Sequence, residues 1–278
     1  MSSPGEPDDL LARSRSALLD AFDALHEHRD SVVVIGAQAI YLRTESAPVA
    51  VAEATKDSDL AVDPRTLNDD PLIEAAMVRG GFHRDLMKNP GAWLNAAGVP
   101  VDLMVPEALA GGGRKSARGA RIPPHHKHAT RRARGLEAAL VDNDWMTVAS
   151  LDRADQRSYE MRVAGSAALL VAKAHKIGDR AEDSRRLVDK DAHDIYRLLL
   201  VIPTEVFAGH IGRLLEDDLA GETTMQAVDF LREHFAAGPT ATGSMMAGRT
   251  EEGVGEPETV ALQTSILASE LVGSLGLW

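Results

Sequence analysis

Three aspartates carry the clearest chemical signal in this chain. Asp57 and Asp59 are separated by one residue in KDSDLAV (56–62), and Asp102 sits in PVDLMV (100–105). The first segment alternates, with Asp57, Asp59 and Ala61 on one side and Ser58, Leu60 and Val62 on the other, the period of a half-buried strand. Residues two apart on a strand point the same way, roughly 6.6 Å from each other. Two ionised carboxylates at that distance repel by about 2.5 kcal/mol at an effective dielectric near 20. A cation between them turns the repulsion into attraction. In the second segment Val101, Leu103 and Val105 face a core and Asp102 faces away, so it can add a third oxygen. Such a set suits Mg²⁺, which takes oxygen ligands and shares its shell with substrate phosphates. Taken singly, an Asp-x-Asp at a strand end is also an ordinary solvated edge; the combination is what points to phosphate chemistry.

A second group of charges lies further along. Lys173 and Arg180 are seven residues apart, two helical turns, and share one face. Lys173 follows an apolar stretch, LLVA (169–172), where an ammonium needs a phosphate or carboxylate partner, with Lys176 as the competing choice. Asp191 and Asp194, spaced i and i+3, also share a face. They either contact a nucleotide, pair with Lys173, or form local ion pairs with Lys190 and Arg197.

The surrounding pattern predicts the elements that must position these groups. Leu11, Leu18, Phe22 and Leu25 fall at helical spacing and predict a helix to about His28, after a disordered leader over 1–8. SVVVI (31–35) predicts a strand ending at Gly36, followed by a short helix over 37–42 and a small-residue loop over 46–54. A helix over 71–79 is ended by Gly80-Gly81, a third strand runs over 99–105, and two more are expected over 145–151 and 159–163. From 164 the character changes to helices over 164–177, 190–200, 204–215 and 224–235, then a Gly-rich linker over 238–255 and a last helix over 258–275. The expected fold is α+β, with a mixed-sheet lobe over 1–163 and a helical lobe over 164–278.

In this order of elements the chain resembles the nucleotidyltransferase superfamily, in which a Gly-rich turn precedes an Asp-x-Asp strand and a third carboxylate strand. VIGAQAIYL (34–42), ATKDSDLAV (54–62) and PVDLMV (100–105) carry the likeness. LLVAKAHKIGDR (169–180) and KDAHDIYRLL (190–199) are similar to helices of the AbiEii-like branch, which includes the toxin halves of abortive-infection and MenT-type toxin–antitoxin pairs. The likeness spans roughly 31–200. It implies a polymerase-β-like catalytic lobe that transfers a nucleotidyl group from an NTP. Asp57 and Asp59 then hold Mg²⁺, and Asp102 completes the metal shell or accepts the proton of the acceptor hydroxyl. Gly36, Ala37, Gln38, Arg180 and Asp194 line the nucleotide, Lys173 clamps the triphosphate, and Asp191 acts beside it. Two departures stand out: the turn reads Gly36-Ala37-Gln38 rather than Gly-Gly or Gly-Ser with a small polar residue, and the stretch from Gly36 to Asp57 is about ten residues longer than is common.

Composition bounds the remaining choices. The formal net charge is −12, yet from Ala108 to Leu136 there are eight Lys or Arg residues and no Asp or Glu. A chain this acidic is no general nucleic-acid binder, although a local basic patch can meet phosphate. RKSARGARIPPHHKHATRRARG (114–135) is read as a long loop that either guides an RNA acceptor or docks on the chain's own acidic surface. His125, His126 and His128 within it are a weak metal signal. The absence of cysteine excludes disulfides and thiolate chemistry. No apolar run is long enough to span a membrane, and the polar start points to the cytoplasm. The expected acceptor is a tRNA 3′ end, by resemblance, or a small molecule such as an aminoglycoside. A catalytically weak nucleotide-binding or interaction module, and an antitoxin partner, complete the alternatives.

Overall fold

A computed structural model describes residues 7–45, 56–112, 118–181, 183, 185, 187–253 and 255–276. The chain forms two compact units, one built from 1–39, 53–136 and 143–164, the other from 40–52, 137–142 and 165–278. The expected loop over 46–54 lies outside the described residues, as does most of the expected leader.

The first unit is a mixed sheet with helices. In chain order it holds α1 (Pro7–Ala24), β1 (Val32–Ile35), the start of α2 (Gly36–Arg43), β2 (Ser58–Val62), α3 (Ile73–Arg79), β3 (His83–Arg84), β4 (Ala92–Leu94), β5 (Pro100–Pro106), β6 (Arg131–Ala133), β7 (Asn143–Ala149) and β8 (Ser158–Ala164). The strands form one sheet in the order β3-β4-β5-β2-β1-β8-β7, with β6 added on β5. β1 runs antiparallel to β2 and parallel to β8, while β2 and β5 are parallel. Leu60, Val101, Leu103 and Val105 are fully buried, the inward set of a period-2 pattern. On that face Ser58 donates to the Ser14 carbonyl of α1 at 2.7 Å, so α1 covers it.

The α+β class with a mixed sheet agrees with the sequence pattern, and three details differ. β2 begins at Ser58, leaving Asp57 just before the strand. Residues 114–117 of the basic segment lie outside the described residues; its end is not a free loop but forms β6, in parallel register with Met104–Pro106. Ala120 N donates to the Thr130 carbonyl and Arg121 N to that of Ala110, which ties the turn between them to the sheet. The hairpin β3–β4 was also unforeseen; its strands are only two and three residues long, too short for a periodic signal.

The second unit is helical. It adds α4 (Glu137–Val141), α5 (Ser166–Gly178), α6 (Asp189–Val201), α7 (Thr204–Leu215), α8 (Gly221–Leu231), a π-helical turn (Arg232–Ala236), α9 (Thr242–Arg249) and α10 (Pro257–Ser274). The expected Gly-rich linker over 238–255 thus contains a helix. Its glycines mark close packing, since a Cβ at Gly243 would sit 2.4 Å from the Phe235 ring and one at Gly248 2.4 Å from the Pro257 carbonyl oxygen. No single described helix is long and apolar enough to cross a membrane.

Candidate active site

Pairing between β2 and β5 places Asp59 and Asp102 directly side by side, as register partners. In-register residues of parallel strands project to the same face. Since Ser58 faces α1, Asp59, one residue on, faces the opposite side. Asp57 is exposed and precedes the strand, yet its charge acts on Asp102. Burial is the main reason the Asp102 carboxyl is raised above its ordinary range; Arg131 pulls it down and Asp57 pushes it further up.

Gly36 meets this cluster from β1. Ile35 pairs with Asp59 across the antiparallel ladder, and the chain then turns through Gly36 at φ 65° into α2. A Cβ at this position would lie 2.2 Å from Asp59 Oδ2. Glycine is therefore required twice, for the left-handed backbone and for room beside the carboxylate. The helix start also favours a nearby negative charge. Ala37 and Gln38 follow inside the fold. The Gln38 side chain is committed to α1, accepting from Arg15 Nε at 2.7 Å and donating to Ser14 Oγ at 2.7 Å. Any contact of this turn with phosphate falls to its backbone.

One participant was not foreseen. Arg131 of β6 donates from Nη2 to Asp102 Oδ2 at 2.9 Å. Its Nε is buried without a hydrogen-bond partner. The signal was hidden because Arg131 is one of eight basic residues in a segment rich in Gly and Pro. Only the register Met104↔Arg131, two residues along β5 from Asp102, brings it here.

No known protein family, curated protein or solved structure matches this chain. The site must therefore be read from its own geometry. Three carboxylates and one guanidinium leave two net negative charges on hard oxygen donors, which suits Mg²⁺ in both charge and donor type. Among the described residues no group of three or more His, Asp or Glu side chains is gathered closely enough to hold a metal as it stands, and Asp102 Oδ2 is engaged by Arg131. The histidines of the basic segment differ in burial. His125 is buried, accepts from Ile73 N at Nδ1 (3.1 Å) and packs edge-on against His28; His126 and His128 are exposed.

The helical unit holds the second predicted group as a buried ion network. Lys173 Nζ lies 2.7 Å from Asp191 Oδ1 and 2.6 Å from Asp194 Oδ2. Lys176 reaches Asp191 Oδ1 at 2.8 Å, and Arg180 Nη1 stands 3.6 Å from its Oδ2. Burial alone would push the Asp191 carboxyl up, but the two lysines overrule it and hold the group well below the usual carboxylate range. Lys173 is buried, whereas the Lys176 side chain is 43% exposed and that of Arg180 28%. Asp194 Oδ1 is buried with no hydrogen bond. Beyond Asp194 lie Tyr41 and Arg197. Burial, then the Asp194 charge, pushes the Tyr41 phenol up to about 12. Arg197 stands 5.8 Å over the Tyr41 ring and donates to both oxygens of Thr44.

Proposed function

We propose that this chain is a Mg²⁺-dependent nucleotidyltransferase with a polymerase-β-like lobe, transferring a nucleotidyl group from an NTP to an acceptor hydroxyl. The observation that carries the reading is the register pairing of Asp59 with Asp102, at a face that also receives the Asp57 charge and the Gly36 turn. A purely structural sheet gains nothing from adjacent carboxylates in a partly buried corner. Mg²⁺ held by Asp57, Asp59 and Asp102 would neutralise phosphate charge and orient the triphosphate. Backbone N–H groups at the start of α2 suit the phosphates. In the transfer the acceptor oxygen forms a bond to the α-phosphorus, the bond to pyrophosphate breaks, and the hydroxyl proton leaves to a carboxylate or to water.

For the helical unit, we assign phosphate contact to the more exposed Lys176 and Arg180, with Lys173, Asp191 and Asp194 setting their positions. The basic segment supports an RNA acceptor such as a tRNA 3′ end, because Arg121, Lys127 and Arg134 are exposed on the unit that carries the aspartates. Incubation with each α-labelled NTP and total tRNA tests the reading. Label in tRNA that disappears with Asp59→Asn is the expected result. Label only in an added aminoglycoside would move the acceptor to the small-molecule class, and no transfer to either would remove the assignment.

A further inference from the structure

We infer that Arg131 is a resident counter-ion that holds Asp102 until nucleotide phosphates draw it away, so that metal and nucleotide load this corner together. The inference rests on the nucleotidyltransferase reading above and adds its regulation. Guanidinium and metal compete for the same oxygen, because Arg131 Nη2 already engages Asp102 Oδ2 at 2.9 Å.

The pair is not built as a structural clamp. Structural arginine–carboxylate pairs are frequently bidentate, with two parallel hydrogen bonds. Arg131 bonds Asp102 through Nη2 alone, and its Nε is buried without a partner. Most of the five-donor fork is unused, and its planar shape matches phosphate oxygens. Arg131 is nevertheless held to the spot by its backbone. Its residue pairs with Met104 in the β5–β6 ladder and bridges Gly119, so the side chain can swing while its origin stays near Asp102. A divalent ion is the stronger competitor once the guanidinium has another anion to hold. Linkage then works in both directions, with phosphate raising metal affinity and metal raising nucleotide affinity by the same factor.

The test is a Mn²⁺ titration of the full chain followed by water-proton relaxation. It is run on wild type, Arg131→Met and Asp59→Asn, with and without the four α,β-methylene NTPs. Without nucleotide, Arg131→Met is expected to bind Mn²⁺ about tenfold more tightly than wild type, a factor typical of site coupling. With nucleotide, wild-type affinity rises by a similar factor and that of Arg131→Met does not. Equal or weaker Mn²⁺ binding by Arg131→Met, while Asp59→Asn abolishes binding, overturns this inference and leaves the metal reading standing. No Asp59-dependent Mn²⁺ binding in either chain removes the metal reading and this inference with it. If Arg131→Met does not fold, Arg131→Lys replaces it, keeping the charge but losing the fork. Continued exclusion of Mn²⁺ with lost nucleotide coupling is then expected, and full coupling overturns the idea.

Discussion

Gly36 and Asp59 occupy each other's space: the carboxylate oxygen of Asp59 lies 2.2 Å from where a Cβ on residue 36 would be. The glycine also sits at φ 65°, a backbone conformation that costs an L-residue about 1–2 kcal/mol. Gly36→Ala therefore meets two penalties, one in the backbone and one at the carboxylate. We expect a loss of at least about 1–2 kcal/mol in urea unfolding, together with weakened Mn²⁺ binding because Asp59 must move. Unchanged unfolding and unchanged Mn²⁺ affinity would mean that the turn is not coupled to the aspartate.

Asp59→Asn separates chemistry from folding. The substitution removes one of two adjacent like charges and keeps the shape, so stability should hold within about 0.5 kcal/mol. Transfer should fall by more than about a hundredfold, the usual scale when charge stabilisation of a transition state is lost. Thermal melts beside a labelled-NTP assay make the comparison. Surviving activity would exclude Asp59 from the reacting centre.

Period-2 alternation made the aspartate strands readable, because a strand exposes or buries every second residue whatever its partner. Their adjacency was not readable. The register Asp59↔Asp102 joins residues far apart in sequence, and local pattern carries no such information. Arg131 was hidden for the same reason. It reaches Asp102 only through the ladder that makes β6 a strand, inside a segment whose Gly and Pro suggested a loop. Glycine misled again at α9, where Gly243 and Gly248 serve close packing against Phe235 and Pro257. Gln38, placed at the nucleotide by resemblance, has its side chain engaged by a buried hydrogen bond from Arg15. That Asp191 and Asp194 share one helix face was legible from their spacing, while the split between a buried Lys173 and a more exposed Lys176 needed the packing.

Lys173 and Lys176 should part company when mutated. Lys173→Met leaves Asp194 buried without its ion-pair partner, and breaking one side of a buried pair costs about 3–5 kcal/mol. Lys176→Ala removes a half-exposed partner of an aspartate that keeps Lys173, so its cost should stay below about 1 kcal/mol. If Lys176 meets phosphate, the KM for NTP rises in Lys176→Ala at nearly native stability. Equal destabilisation of the two variants would contradict the burial difference, and an unchanged KM would remove Lys176 from the nucleotide.

Acid unfolding should report the same network. Asp191 is held below the ordinary carboxylate range in the fold, against burial, by Lys173 and Lys176. A group whose folded pKa is depressed contributes stability that is full above its unfolded value, about 3.9, and is lost as pH falls through the folded value. Wild type should therefore exceed Asp191→Asn in stability at neutral pH. The gap should begin to close below about pH 4, as the unfolded chain takes up a proton that the folded chain refuses. Asp102 moves the opposite way, because its folded carboxyl is raised and ionising it weakens the fold as pH climbs past about 4. On a scan from strong acid to neutrality, wild type should thus gain on Asp191→Asn until about pH 4 and lose stability relative to Asp102→Asn only above it. Urea midpoints of the three chains across that range measure both slopes, and parallel curves would mean that neither aspartate titrates differently in the fold.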